Sequence, residues 1–170
     1  CAAVAGIDPL EYRLKLIDGW DESWSEALHI VADKSGWGEV LPKGEGLGIA
    51  ITSWPKVIRN FGTVVAAAAR VSVTKKGRLS VSRLDIAFDC GSVANEDAVR
   101  AQIEGAAIYG LNFTLNEEMT LVNGAMVESN FDSYPMLHMA DMPEIHVHFG
   151  ALSGHPRFDI VGESPVGPIG

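Results

Sequence analysis

A β-hairpin is predicted by Phe61-Gly-Thr-Val-Val-Ala-Ala-Ala-Ala-Arg-Val-Ser-Val73 and the following Arg78-Leu-Ser-Val-Ser-Arg-Leu-Asp-Ile-Ala-Phe88. β-Branched and aromatic residues are frequent in both segments, which is typical of strands. The intervening Thr74-Lys-Lys-Gly77 ends in glycine and is short enough to join two antiparallel strands. Strict alternation divides the second strand into two faces. One face is predicted to carry Leu79, Val81, Arg83 and Asp85, and the other Ser80, Ser82, Leu84 and Ile86.

Helices are predicted on the N-terminal side of this hairpin. Asp8-Pro9 supplies an N-cap followed by proline at the first helical position, and apolar residues recur after it at helical spacing. A second helix is predicted from about Asp21 to Ser35, with Gly36 as its stop. The five glycines of residues 36–48 indicate a connecting loop, and the apolar run Leu47–Thr52 predicts a short buried strand.

The C-terminal half combines further helices and strands. Asp97–Phe113 has apolar residues at helical spacing, and Asn95 is its predicted N-cap. Asn123-Gly124 predicts a tight hairpin between Glu118–Leu121 and Ala125–Ser129. Pro143–Phe149 is predicted as a strand, and the Gly/Pro-rich Val161–Gly170 as an irregular loop.

These elements predict the α+β class, with a mixed sheet that contains hairpins and is packed by helices. We divide the chain into an N-terminal helical segment with its linker, residues 1–46, and an α+β portion, residues 47–170.

Composition excludes several classes of protein. The 170 residues include 13 Lys and Arg against 22 Asp and Glu, a formal net charge of −9. A hydrophobic fraction of 47% excludes a disordered chain. The acidic balance argues against nucleic-acid binding, which needs a basic surface to displace counterions. No apolar run approaches the roughly 20 residues of a membrane helix, so we expect a soluble protein.

Two cysteines, Cys1 and Cys90, are too few for a disulfide framework or a CxxC metal site. Cys90 follows a strand-like run and is predicted to be a small buried hydrophobic residue. The sequence starts with Cys1 and shows no export signal. We therefore expect a piece of a longer or processed gene product, and the sequence leaves periplasm and cytoplasm both open.

Histidine and tryptophan residues suggest two further kinds of site. On a strand, Glu144, His146 and His148 project to the same side, and with His138 they invite a zinc-site hypothesis. A solvated strand face is the interpretation that we favour, and no metal ligand is assigned. The tryptophans of the helical part, Trp20, Trp24 and Trp37, are predicted to pack in the core or against a partner that is not part of this sequence.

Glu163 lies in a loop between Gly162 and Ser164-Pro165. Glycine allows close backbone approach to a ligand and proline stiffens the loop. A carboxylate held in this setting can be desolvated and serve as a general base. A surface-loop glutamate is the plainer interpretation, and local physics alone favours it.

Five collinear segments together resemble one family, although each is weak by itself. They are Gly6-Ile-Asp-Pro-Leu-Glu-Tyr-Arg13, Ala32-Asp-Lys-Ser-Gly-Trp-Gly38, Asp89–Gly105 with its Asp-Cys-Gly start, Ser129-Asn-Phe-Asp-Ser-Tyr-Pro135 and Val161-Gly-Glu-Ser-Pro165. The ordered set resembles the molybdenum hydroxylases, the xanthine oxidase family. The match is to the C-terminal part of the large, molybdopterin-binding subunit, of the isoquinoline 1-oxidoreductase or aldehyde dehydrogenase type.

This resemblance implies an oxidoreductase that hydroxylates an aldehyde or an N-heterocyclic carbon with water as the oxygen source. It implies that Glu163 is the catalytic base and that Gln102, Val161 and Gly162 contact the cofactor. The implied cofactor is molybdopterin, in its cytosine dinucleotide form. Electrons would leave through [2Fe-2S] clusters on a partner small subunit, and a cytochrome c is a further implied partner.

A different class of function stays open at this point. The chain would then be a non-catalytic folding or interaction domain that binds a partner subunit through its Trp-rich helices. Molybdenum in the protein purified with its partners discriminates between the two hypotheses. The sequence does not identify the substrate or the electron acceptor.

Overall fold

The computed structural model describes residues 1–54, 62–150 and 161–169. The helices are α1 Ala2–Ala5, α2 Pro9–Leu16, α3 Glu22–Ser35, α4 Glu96–Leu115 and α5 Val166–Ile169, with a 3₁₀ turn at Met139–Asp141. The strands are β1 Glu45–Ser53, β2 Val64–Val73, β3 Leu79–Asp89, β4 Leu121–Val122, β5 Ala125–Met126 and β6 Glu144–Phe149.

The larger of the two sheets in the described part of the chain has four strands in the order β1-β2-β3-β6. β1 pairs antiparallel with β2, and β2 antiparallel with β3, whereas β6 runs parallel to β3. β4 and β5 form a separate two-stranded ribbon. This mixed sheet with hairpins confirms the predicted α+β class.

The β2–β3 hairpin is confirmed, with one change of face that alternation does not predict. Its turn closes through the Thr74 amide, which donates to the Arg78 carbonyl at 2.9 Å. The register shifts between Arg70 and Val71, so that Ser82 is skipped in the pairing of the two strands. Because a bulge inserts one extra residue into a strand, Val81 packs against the same cluster as Leu84. The prediction that Val81 shares a face with Arg83 and Asp85 is therefore wrong.

One face of the sheet is covered by α3. Leu28 and Val31 are fully buried there, against small strand residues such as Ala66 and Ala68. Alanines on the strands leave room for a helix to pack close to the sheet. α3 has the predicted limits, since the Asp21 carboxylate accepts from the Ser23 amide and Gly36 ends the helix in a left-handed conformation.

The opposite face of the sheet is covered by α4. Ile103 and Ala107 pack on Leu84, Ile86 and Phe88, and Ile103 is fully buried. The Asn95 side chain accepts a hydrogen bond from the Ala98 amide at 3.0 Å, which confirms the predicted N-cap. The sheet is thus sandwiched between one long helix on each face.

Two segments differ from their predicted structure. Strand β1 begins at Glu45, two residues before the predicted strand Leu47–Thr52, so the end of the predicted loop is strand; Gly46 and Gly48 continue the pairing with β2. Residues 166–169 form the short helix α5 instead of irregular chain. Pro168 is tolerated there because amides in a first helical turn have no partner within the helix. The predicted strand start at Phe61 and the final Gly170 lie outside the described residues.

The remaining predicted elements are present with adjusted limits. α2 begins at Pro9, and the Asp8 carboxylate accepts from the Leu10 amide at 2.8 Å. The Asn123-Gly124 turn has both residues at positive φ, 50° and 80°, as a tight hairpin requires, but each flanking strand has only two residues. No helix in the described ranges combines the length and apolarity that crossing a bilayer requires.

Candidate functional site

Gln102 lies on the exposed side of α4. Its neighbour Ile103 enters the core, so the helix presents the Gln102 amide outward. A side-chain amide both donates and accepts hydrogen bonds, which is what the edge of a pterin requires. The position therefore fits the role that the sequence resemblance implies.

Arg100, two residues before Gln102 on α4, connects this helix to strand β6. Its Nη1 donates to the Val147 carbonyl at 3.0 Å, and Nη2 lies 2.9 Å from a Glu96 carboxylate oxygen. The guanidinium also lies over the Phe149 ring, 5.2 Å from its centroid. These contacts fix the part of α4 that carries Gln102.

Glu163 lies in a turn whose two ends are anchored. Val161 packs against the apolar cluster beneath α4. Ser164 and Pro165 are buried, whereas Gly162 and Glu163 are exposed between them. The Glu163 carbonyl accepts a hydrogen bond from the Val166 amide at 3.0 Å. A solvent-facing carboxylate is thus carried on a fixed backbone.

The structure places both candidate segments on the α4 side of the sheet. Val161 packs against the apolar cluster that contains Ile103, so the turn and the helix are attached to the same part of the core. In the described part of the chain no hydrogen bond joins Gln102 to Glu163. The Gln102 amide, the Glu163 carboxylate and the backbone of Gly162 are all open to solvent.

A buried ionic network on the opposite face was not identified from the sequence. Arg83 contacts both carboxylate oxygens of Asp85, with Nε to Oδ2 at 2.7 Å and Nη2 to Oδ1 at 2.8 Å. His148 Nε2 lies 2.9 Å from Asp85 Oδ1, and Arg83 Nη2 also donates to the Lys34 carbonyl at the end of α3. The signal available in the sequence was an Arg and an Asp two residues apart on one strand face.

The Asp85 carboxylate is 1% exposed. Burial by itself raises the pKa of this group, but the hydrogen bonds from Arg83 and His148 outweigh it, so the pKa of Asp85 lies below its ordinary value. The same hydrogen bond raises the pKa of Arg83 above its ordinary value. The network keeps Asp85 charged inside the fold.

The histidines are distributed over different environments. Glu144 and His146 are 79% and 41% exposed, with 3.6 Å between Oε2 and Nε2. His148 is half-buried against Asp85, so it is part of the ionic network and not of a fully solvated face. His138 is exposed and precedes the 3₁₀ turn. Among residues 1–54, 62–150 and 161–169, no three His, Cys, Asp or Glu side chains are grouped to hold a metal ion.

Cys90 is buried, as predicted, at 3% exposure. Of the tryptophans, Trp24 and Trp37 pack at the border of the α3-side core. Trp37 Nε1 also donates to the Asp8 carboxylate at 3.1 Å. Trp20 is 57% exposed and meets Trp24 edge-on, with 4.9 Å between ring centroids.

Comparison with protein families gives a match over residues 42–143. The matching family is described as the molybdopterin cofactor-binding domain. The matched region contains the whole β1–β3 meander, all of α4 with Gln102 and the β4–β5 ribbon. The turn with Glu163 lies beyond its limit.

Relatives of known name match most of the chain. A membrane-bound aldehyde dehydrogenase (pyrroloquinoline-quinone) of Gluconacetobacter polyoxogenes is 32% identical over 95% of this chain and 23% of its own length. The beta subunit of isoquinoline 1-oxidoreductase from Brevundimonas diminuta is 35% identical over 82% of this chain and 18% of its own length. A subunit of nicotinate dehydrogenase from Pseudomonas putida is 30% identical over 86% of this chain and 13% of its own length. The chain therefore spans less than a quarter of the length of these relatives.

Solved structures share the fold. CO dehydrogenase from Oligotropha carboxidovorans superimposes with a TM-score of 0.57 at 19% identity, covering 64% of this chain and 14% of that one. Quinoline 2-oxidoreductase from Pseudomonas putida 86 superimposes with a TM-score of 0.54 at 21% identity, covering 62% of this chain and 14% of that one. At these identities the likeness shows the fold alone.

Proposed function

Because the chain belongs to the molybdopterin cofactor-binding domain family, we propose that it is part of a molybdenum-dependent oxidoreductase. The proposed reaction is hydroxylation of an aldehyde or an N-heterocyclic aromatic carbon, with water as the oxygen source. The observation that carries the proposal is the family match over residues 42–143, which contains the outward-facing Gln102. The named relatives are oxidoreductases, which favours an enzyme over a non-catalytic interaction domain.

Gln102 is proposed to bind the pterin. Its amide is exposed on a helix that Arg100 fixes to β6. A fixed helix lowers the entropy that the side chain loses on binding, because only its own rotamers remain to be ordered. Val161 and Gly162 are proposed as further contacts, with Gly162 offering an exposed backbone that carries no side chain of its own.

Glu163 is proposed to be the general base. Bound molybdenum cofactor supplies the redox chemistry of the reaction. The carboxylate of Glu163 accepts the proton of the attacking oxygen nucleophile, and the negative charge on that oxygen increases as a result. The exposed position in an anchored turn supports this role, since the carboxylate is accessible to a substrate while its backbone is held in place.

The finer assignments rest on the family resemblance. We propose the cytosine dinucleotide form of the cofactor. Electrons would pass to [2Fe-2S] clusters on a partner small subunit and then to a cytochrome c. The two relatives named as subunits support an assembly of more than one chain. The two cysteines of this chain are too few to hold such a cluster.

Replacement of Glu163 by Gln in the complete enzyme tests the proposal. Gln keeps the shape of the side chain but does not accept the proton, and loss of a general base typically lowers a rate by about 10²–10⁴-fold. We expect kcat to fall at least about a hundredfold, with molybdenum and iron contents at the wild-type level. Anaerobic reduction by substrate, followed at the iron–sulfur absorbance, measures the step directly. Wild-type rates of reduction would contradict the base role.

A further inference from the structure

The short helix α5 has a glycine at each of two close contacts, Gly110 of α4 where α4 meets α5 and Gly167 of α5 where α5 meets β1, and we call these two residues the glycine seat. Gly110 lies on α4, where an added Cβ would approach the Cα and the carbonyl oxygen of Val166 to 3.2 Å each. It would also approach the Ile169 Cβ to 3.3 Å. Two of these three atoms belong to the α5 backbone, which has no rotamer by which to move away. A methyl group at residue 110 therefore has to displace α5.

The second contact of the glycine seat is on strand β1. Gly167 lies on α5, and an added Cβ there would meet the Thr52 methyl carbon Cγ2 at 3.3 Å and Oγ1 at 3.7 Å. This neighbour is a side chain, so the contact is milder than the one at Gly110. The two glycines hold α5 between α4 on one side and β1 on the other.

The glycine seat is connected to Glu163 by a short, anchored stretch of chain. The Val166 amide donates to the Glu163 carbonyl at 3.0 Å, and Ser164 and Pro165 between them are buried. A displacement of α5 is therefore transmitted to the backbone of Glu163. We propose that Gly110 and Gly167 are positioning residues that set the location of the Glu163 carboxylate. This inference rests on the proposed role of Glu163 as the general base.

Small displacements matter for a general base. The accepting oxygen has to lie about 2.6–3.2 Å from the donor of the proton, and misplacement by about 1 Å can cost on the order of a hundredfold in rate. A contact at 3.2 Å requires a shift of a few tenths of an ångström. We therefore expect Gly110→Ala to lower kcat about tenfold in the complete enzyme, with the KM for substrate changed less than about twofold.

The experiment compares Gly110→Ala with Gly105→Ala and Gly48→Ala. Gly105 is on the same helix and Gly48 on β1, and an added Cβ meets nothing within 4 Å at either position. Gly105→Ala controls for the higher helix propensity of alanine and should leave exchange of the Val166 amide unchanged. Gly48→Ala controls for activity and should keep kcat within about twofold, as an open position predicts. Gly110→Ala should accelerate exchange of the Val166 amide at unchanged molybdenum content.

A double variant separates positioning from a general structural effect. If Gly110 acts through Glu163, the variant Gly110→Ala/Glu163→Gln is no slower than Glu163→Gln alone, because the misplaced group no longer takes the proton. A structural role predicts that the two losses multiply. Multiplied losses would overturn the inference.

Gly167→Ala gives a second test if Gly110→Ala does not fold. It should lower kcat by a smaller factor than Gly110→Ala, about threefold or more. Thr52→Ser removes the methyl carbon that the new Cβ meets, so Gly167→Ala/Thr52→Ser should recover most of the wild-type kcat. Unchanged kcat in Gly167→Ala, or no recovery in the double variant, would overturn the inference.

The inference and the proposed function fail in different ways. A hundredfold loss in Glu163→Gln, together with wild-type kcat and Val166 exchange in Gly110→Ala, would overturn the glycine seat and leave the base role intact. Wild-type kcat in Glu163→Gln would overturn both.

Discussion

At the scale of single residues, Asp85 shows how a charge is kept inside the sandwich. Its carboxylate is 1% exposed and is held by both nitrogens of the Arg83 fork. His148 contacts the same carboxylate from β6, the strand that pairs with β3 in parallel. The network therefore joins two strands through side chains in addition to their backbone hydrogen bonds.

Arg83→Met should destabilise the fold by about 1–3 kcal/mol at pH 7, because it leaves a buried carboxylate with fewer donors. Arg83 is 36% exposed, so solvent screening keeps the loss below that of a fully buried pair. Arg78→Met is the matched control, since Arg78 is 79% exposed and lies 3.8 Å from Asp141. Its expected loss is below about 0.5 kcal/mol. Urea denaturation of both variants measures the difference, and equal losses would contradict the role of the network.

The contribution of Arg83 to the free energy of unfolding should decrease as the pH falls. The pKa of Asp85 is lower in the folded than in the unfolded chain. Stabilisation by this carboxylate is therefore present above the unfolded pKa of about 3.9 and is lost as the pH falls through the folded pKa. The stability difference between wild type and Arg83→Met should therefore shrink as the pH falls below about 4. A difference that grows on acidification would contradict this assignment.

Gln102→Ala in the complete enzyme should affect retention of the cofactor more than the chemical step. Loss of the amide leaves a pterin group unpaired, at a cost of about 1–3 kcal/mol. Molybdenum content should fall, while activity per molybdenum stays within about tenfold, since the residue takes no part in proton transfer. Tyr109→Ala, at a residue of α4 that is 53% exposed, controls for disturbance of the helix. Unchanged molybdenum loading in Gln102→Ala would refute the assignment.

At the scale of elements, helix limits were more predictable than the ends of strands. Asp8, Asp21 and Asn95 all accept hydrogen bonds as N-caps, because capping depends on residues within one turn. The bulge at Ser82 depends on pairing with β2 and has no local signal. α5 likewise depends on distant chain, since Gly110 and Thr52 both contact it.

The same distinction applies to the candidate site. A turn with Glu163 was predictable from its glycine and proline neighbours. The anchoring of that turn by α4 and β1 was not, because those contacts join residues more than fifty positions apart. The pairing of Asp85 with His148 is hidden for the same reason, as it requires the parallel crossover from β3 to β6.

Arg100 makes a testable connection between α4 and β6. Arg100→Met removes the hydrogen bond to the Val147 carbonyl and the cation–π contact with Phe149, so we expect a loss of about 1–3 kcal/mol. Glu96→Gln removes the ion pair with Arg100 but keeps the contacts of Arg100 with β6. Because the Glu96 side chain is 63% exposed, this change should cost below about 0.5 kcal/mol. Thermal unfolding and amide exchange in β6 compare the two. Equal effects would show that Arg100 acts only through Glu96.

At the scale of the whole molecule, the groups that we propose to hold the cofactor are open to solvent. Gln102, Gly162 and Glu163 are all exposed. Small-molecule and cofactor sites usually enclose most of the surface of their ligand. A pterin dinucleotide resting on these groups alone would remain largely in contact with water. The relatives are more than four times as long as this chain, so residues outside this chain are available to enclose a cofactor in a protein of that length.

We therefore expect the 170-residue chain by itself to bind no stoichiometric molybdenum. The α3-side and α4-side cores are both formed from the chain's own residues, so the expected failure is one of binding and not of folding. A cooperative thermal transition by circular dichroism serves as the control for folding. Elemental analysis of chain expressed in cells that make the cofactor measures the binding. One molybdenum per folded chain would contradict the expectation, because the exposed groups of this surface would then be sufficient to hold the cofactor.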